Sequence, residues 1–257
     1  VHYPTDINLL YDAMRKVITL VARVSDELGL TGWRQSKHNL KKLKQLYRHA
    51  QQLKRTGAGT AERAKEKQCK IREAHREYIV EAARYVEKVQ TTIRAVSYIR
   101  NVKLLAIVFE VENYPQHAER QIDQIRRRVI DGQTIPHEEK VFSIFQPHTE
   151  WISKGKAGVP QELGLRVCIV EDQYGFMLNH LVMKKSGDEK VAVPLLEQTK
   201  REYPTLISCS FDKNFYSSEN KKRLSAMLET VALPKKGKLT GEQRIEESQD
   251  AFVAARQ

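Results

Sequence analysis

Hydrophobic residues change their spacing partway along this 257-residue chain. Over residues 9–28 they recur at Leu10, Met14, Val17, Ile18, Val21 and Val24, one stripe at the 3.6-residue period of a helix. Thr5 or Asp6, following Pro4, supplies a start signal, and Gly29 and Gly32 punctuate the end. Residues 32–55 place Leu40, Leu43, Leu46 or Tyr47, and Leu53 on one side. The glycine-rich stretch 56–59 then breaks the pattern. A long helix is predicted from Ala61, with Ile71, Tyr78, Val86, Val89, Ile93 and Val96 on its buried side. Tyr114-Pro115 is expected to interrupt the chain before a further helix over 118–130, which Asp131-Gly132 and Pro136 end.

Beyond residue 135 the period shortens. Residues 141–145, 165–171 and 176–183 are short, apolar and rich in β-branched side chains, which predicts strands, with a turn at 172–175. A helix is expected over 191–202, a strand over 206–211, a helix over 218–228 and a short strand over 231–233. A basic loop follows, then one helix over 242–256. Strands crossed by helices imply an α/β fold with a mixed sheet, and residues 1–135 form a helical block ahead of a sheet-bearing region, 136–257.

Charge divides in the same way. Residues 1–135 hold 26 Lys and Arg against 15 Asp and Glu, and residues 136–257 hold 18 against 17. Nearly all of the net charge of +12 therefore belongs to the helical half, as expected of a nucleic-acid grip beside a near-neutral unit. Ordinary solvated basic helices are the alternative. From Leu28 to Ala61 there is no acid, yet Arg34, Lys37, Lys41, Lys42, Lys44, Arg48, Lys54 and Arg55 occur, with Trp33, His38 and Tyr47 interleaved. Such a surface suits phosphate contact, and Arg34 or Asn39 is placed to reach base edges. No apolar run approaches the ~20 residues of a membrane-spanning helix. Cys69, Cys168 and Cys209 are too few and scattered for a disulfide framework or zinc site, and a reducing, cytoplasmic setting fits them.

Asp212 is the strongest candidate for chemistry. It ends the predicted strand over 206–211, and a strand tip delivers a hard oxygen ligand accurately to a metal ion. A cap or turn former is the structural alternative. Two basic loops, Lys154-Gly155-Lys156 between strand-like runs and Lys235, Lys236 and Lys238 near the chain end, are candidate phosphate contacts or simply solvated turns. Glu150, Glu162 and Asp188 are read as surface or structural acids, and His148, His180 and Cys168 as packing residues.

Several stretches together resemble the DDE transposases of bacterial insertion sequences. These are the opening VHYPTD-x-x-LL-x-D, the SIF…WI-x-KGK…ELGL run of residues 143–165, and Asp212-Lys213-Asn214-Phe215. The last is similar to a family signature Asp-x-Gly-Tyr but departs at the Gly and Tyr positions; Asn tolerates the left-handed backbone that Gly permits. The resemblance spans almost the whole chain. It implies a ribonuclease-H-like core with a helical insertion, and Asp212 as the second acid of a catalytic triad. Mg²⁺ (or Mn²⁺) held by three carboxylates would serve DNA strand cleavage and then strand transfer. It further implies contact with duplex DNA, at transposon ends and target, through Arg34, Lys37, Lys41, Lys42, Lys44, Arg48, Lys154, Lys156, Lys213, Lys235, Lys236 and Lys238. Family members generally work as dimers or larger assemblies on DNA, so a homodimer belongs to the expectation. The first Asp and the final Glu of the triad are expected upstream of Val1 and downstream of Gln257, which makes the chain an internal fragment. Two rivals stay open: a non-catalytic DNA-binding remnant, and a helical protein whose residues 61–111 pair with a partner helix.

Overall fold

The N-terminal stripe forms helix α1, Asp6–Glu27, whose Leu10, Met14, Val17 and Ile18 are wholly buried. The computed structural model describes residues 4–55, 60–96, 101–153, 161–184 and 186–256. The chain divides into two units, Val1–Leu163 and Gly164–Gln257. Its class is mixed helix and strand, with helices dominating and small sheets.

In the first unit a 3-10 turn, Thr31–Trp33, leads into α2, Ser36–Arg55. Helix α3, Ala61–Ala95, and helix α4, Val102–Ile125, complete a four-helix arrangement. Thr60 and Asn101 cap α3 and α4 by accepting from the amides of Arg63 and Lys103, satisfying donors that a helix start leaves free. The core collects side chains from all four helices, among them Leu43, Tyr78, Val89, Val111 and Ile125. The stripes expected for α1 and α3 are therefore the buried ones, although Ile93 and Val96 are only half-buried. The predicted break at residues 56–59 lies outside the described residues.

Tyr78 is fully buried, and its hydroxyl donates to the Ile7 carbonyl at 3.3 Å, joining α3 to the start of α1. Tyr78→Phe keeps the ring and leaves that carbonyl without this partner. The unit is expected to lose about 1 kcal/mol, read as a lower urea midpoint at unchanged slope.

The expected interruption at Tyr114-Pro115 is a correction: α4 runs straight through Pro115. A proline inside a helix costs roughly 3 kcal/mol. Val111, Tyr114, Ala118 and Ile122 are all buried on the same helix, and each such burial is worth about 1.5–3 kcal/mol for a large apolar side chain. Keeping the stripe continuous outweighs the lost backbone bond. The helix then ends in a π-helical turn, Arg126–Ile130, before Gly132 at φ 72°.

Residues 141–145 are not a strand. The Ser143 hydroxyl accepts from the amides of Phe145 and Gln146 at 3.3 and 3.0 Å, which bends the backbone into a turn. Ile144 is buried in the helical core, and Phe145 stands edge-on to Tyr114 with ring centroids 6.3 Å apart. Apolar side chains that suggested a sheet thus serve the bundle. Strands β1, Glu150–Ser153, and β2, Gln161–Gly164, instead form a two-stranded sheet.

In the second unit β3, Arg166–Glu171, and β4, Met177–Met183, form an antiparallel hairpin with a bulge at Val170/Glu171. Asp172 builds its turn: its carboxylate accepts from the amides of Tyr174 and Phe176, both at 2.9 Å, and Gly175 takes φ 83°. Helix α5, Asp188–Glu202, packs on this hairpin, with Asn179 donating to Thr199 at 3.2 Å. Strand β5, Ser208–Ser210, and strand β6, Thr230–Ala232, run parallel, linked by α6, Ser218–Met227. Val193, Leu196, Leu224, Leu228 and Leu233 form the core here.

Two further expectations are corrected in this unit. The single mixed sheet is not found: among the described residues the strands make three separate two-stranded sheets. The final segment is two short helices, α7, Gly241–Glu247, and α8, Asp250–Ala254, rather than one. Glu247 accepts from the Lys235 amide at 2.9 Å, anchoring α7 to the preceding loop, and the bend after it lets Phe252 bury as α8 packs by β6.

Candidate functional site

The backbone around Asp212 is held from three sides within the second unit. The Phe211 amide donates to the Ala232 carbonyl at 2.9 Å, carrying the parallel ladder one residue past β5. Asp212 follows directly, and its Oδ1 accepts from the Asn214 amide at 3.1 Å, capping a 3-10 turn, Lys213–Phe215. Asn214 therefore sits in right-handed backbone, and the left-handed tolerance expected of it is not used. Ser217 then caps α6 through the Asn220 amide at 3.0 Å. The Asp212 carboxylate is exposed, as a metal ligand reached from solvent must be, and its hard oxygens suit Mg²⁺ or Mn²⁺. It also serves as the cap that the structural alternative described.

Asn220 was not singled out in the sequence, yet it organises this turn. It is buried and donates to the Phe215 carbonyl at 2.9 Å and to the Glu189 carbonyl at 2.6 Å. The Ser-x-x-Asn spacing that opens α6 was the only signal available. Asn220→Leu removes both donors and leaves two carbonyls without this partner. The expected cost is about 2 kcal/mol, with faster hydrogen exchange at Asn214 and Phe215 as the local readout.

Among the described residues, no three His, Cys, Asp or Glu side chains gather into a group able to hold a metal ion. Glu150 and Glu162 lie on β1 and β2. Asp188 opens α5 and pairs with Arg166 at 3.5 Å. His180 is exposed on β4, and Cys168 is half-buried on β3. Burial pushes the Cys209 thiol up to about 11, aided by nearby Cys168, while a bond to the Ser210 carbonyl opposes the shift.

The basic residues fall into different situations. Lys235 is tied down, its ammonium donating to Gln243 at 3.0 Å, whereas Lys213, Lys236 and Lys238 are exposed. Lys154 and Lys156 lie outside the described residues. On α2, Lys37, Lys41, Lys44 and Arg48 are exposed, as is Arg34 just ahead of it. Lys42 is engaged: its ammonium is 3.2 Å from Glu81 on α3. Burial opposes ionisation of Glu81, but hydrogen bonds from Arg84, Lys42 and Tyr85 outweigh it and hold its carboxyl below the usual range.

Of the interleaved rings, Trp33 and Tyr47 turn inward while His38 is exposed. Trp33 is buried, its indole N–H donates to Thr92 at 2.9 Å, and the Lys88 ammonium sits 4.4 Å over its ring. Tyr47 stacks on Tyr11 with centroids 4.7 Å apart and donates to Asn8 at 2.9 Å. No helix of the described residues is long and apolar enough to cross a membrane. A scan against family models and searches of curated proteins and of solved structures found no match to this chain.

Proposed function

We propose that the chain is part of a DDE transposase, a metal-dependent DNA-cleaving and strand-joining enzyme, and that its second unit belongs to a ribonuclease-H-like sheet. The observation that carries this reading is Asp212 at the tip of a strand in a parallel pair, with an antiparallel hairpin and a helix preceding it in the chain.

The Asp212 carboxylate is the residue that would hold Mg²⁺ or Mn²⁺, which when bound supplies charge neutralisation at phosphate and activation of a hydroxyl nucleophile. The capped turn fixes the direction of that carboxylate, and Asn220 fixes the turn. Lys213, Lys236 and Lys238 are free to meet phosphates on the same unit. Duplex DNA is the substrate, with a homodimer as the working assembly and the cytoplasm as the setting. A second reading, a DNA-binding remnant without catalysis, draws support from the exposed basic face of α2, which binds phosphate without any carboxylate.

Sequencing the encoding DNA across codons 1 and 257 separates the two. An in-frame strand ending in Asp upstream and a helix bearing Glu downstream are expected for the transposase. Stop codons or unrelated sequence at both junctions would leave only the binding reading.

A further inference from the structure

We infer that the outer face of α2 is a ridge that tracks the backbone phosphates of duplex DNA, neither reading bases nor stacking on them. This rests on the reading of the chain as a protein that acts on DNA, and it names where and how the duplex is held. Lys37, Lys41, Lys44 and Arg48 recur at steps of four, three and four residues, which keeps all four on one face of the helix. At 1.5 Å per residue the row is about 16 Å long. It lies away from Leu43 and Ala50, the fully buried positions that face the core.

The surrounding charges set this row apart. On α3 three of the bases are neutralised locally: Lys70 pairs with Glu66 at 2.6 Å, Arg76 with Glu73 at 2.6 Å and Arg84 with Glu81 at 2.7 Å. Lys16 of α1 pairs with Glu110 of α4 at 2.8 Å, and Arg127 with Asp123 at 3.3 Å. Among the described residues no carboxylate comes within ion-pair distance of the four ridge residues, although Asp26 and Glu27 line the same open cleft as Lys37. A row of like charges on a rigid helix, lacking acids of its own, gains most by releasing counterions from a polyphosphate.

The aromatics decide the kind of nucleic acid. Single-strand binders place exposed rings where successive bases stack. Of the three rings interleaved with these bases, Trp33 and Tyr47 are committed to the interior and His38 alone is exposed, a single imidazole rather than a succession of platforms. The exposed surface offers cations on a straight rod, which suits a duplex backbone.

The test is fluorescence anisotropy with the 257-residue chain and a random-sequence DNA duplex, its single strand, and an RNA duplex of the same sequence, between 50 and 200 mM salt. The intact chain is expected to prefer duplex DNA, with little change when the sequence is scrambled. Replacing Lys37, Lys41, Lys44 and Arg48 by Gln should flatten the salt slope by about 3.6, four contacts at 0.9 each, and weaken binding roughly 100-fold at low salt. Lys41→Gln alone should flatten it by about 1. Removing the three paired charges of α3, at Lys70, Arg76 and Arg84, should change the slope far less per charge. Gln keeps helix propensity close to that of Lys, so the thermal midpoint should hold; should the quadruple variant unfold, the single variant decides. Equal losses from the two helices, or tighter binding of single strand or RNA duplex, would overturn the inference. If the intact chain binds duplex DNA and the ridge variant binds it equally well, only the ridge fails. If the intact chain binds no nucleic acid, the DNA-acting reading fails with it.

Discussion

Asp212→Asn is expected to abolish metal-dependent strand cleavage in cleavage-competent protein that contains this chain, while duplex binding and folding stay unchanged. The substitution is chosen for what it keeps. Asn and Asp are nearly equal as caps, so the bond to the Asn214 amide and the turn Lys213–Phe215 survive. What is lost is the negative charge that a Mg²⁺ ligand supplies. A metal contributes several kcal/mol of transition-state stabilisation, so the rate should fall by roughly a thousandfold or more. Nicking of supercoiled plasmid with Mg²⁺, against a chelator control, reads the effect. Asp212→Ala is the companion variant: it should lose cleavage and also about 1 kcal/mol of stability, because the cap goes with the ligand. Cleavage retained by Asp212→Asn would reject the metal role and leave Asp212 a turn former.

Lowering the pH from 7 to 4 is expected to weaken the helical unit by about 3 kcal/mol through His75 alone. This imidazole is fully buried on α3, with Nδ1 2.7 Å from the Ile71 carbonyl and, among the described residues, no hydrogen-bond partner at Nε2. Burial pushes its pKa down to about 4; the Ile71 carbonyl opposes the shift, and the Lys54 and Arg128 charges add to it. Those cations meet Asp6 here, which pairs with Arg128 at 2.9 Å. The direction follows from linkage. In the unfolded chain His75 takes a proton near pH 6.5, whereas the folded unit resists it until about pH 4. Stability is therefore full above pH 6.5, declines as pH falls through the window, and levels off below 4. A shift of that size, at about 1.36 kcal/mol per pH unit, gives the magnitude. Urea melts at pH 7, 5.5 and 4 should show the decline, and His75→Leu should remove most of it above pH 4.5, where ordinary carboxylates have yet to titrate. An unchanged pH profile in that variant would show that other groups carry it.

These two expectations draw on different levels of the molecule. The stripe of α1, the buried side of α3, the hairpin turn at Asp172 and the cap at Asp212 were all legible in sequence, because each depends on spacing within a single segment. Even the near-neutral balance of the second half and the acid-free run around α2 could be counted directly. Where prediction failed, a distant contact had overruled a local preference. Pro115 marks a helix break by every local rule, yet the burial of Val111, Tyr114, Ala118 and Ile122 carries α4 through it. Residues 141–145 have the composition of a strand, but Ile144 is drawn into a core built by helices remote in sequence.

Tertiary structure alone decided which bases remain available. Lys42 and Lys44 are indistinguishable as letters, but Glu81 arrives from another helix to engage Lys42 and leaves Lys44 in solvent. Trp33 and Tyr47 could equally have been stacking platforms until Thr92, Asn8 and Tyr11 claimed them. His75 reads as one more residue in a charged helix, and only its burial beside Lys54 and Arg128 makes it resist protonation. Periodicity and turn chemistry act through neighbours a few residues apart, so the sequence determined those elements and buried faces whose causes are local, and left α4 and residues 141–145 to distant contacts. Ion pairing, desolvation and ring stacking act through space, so the fold decided which polar groups are spent on its own stability and which face a partner.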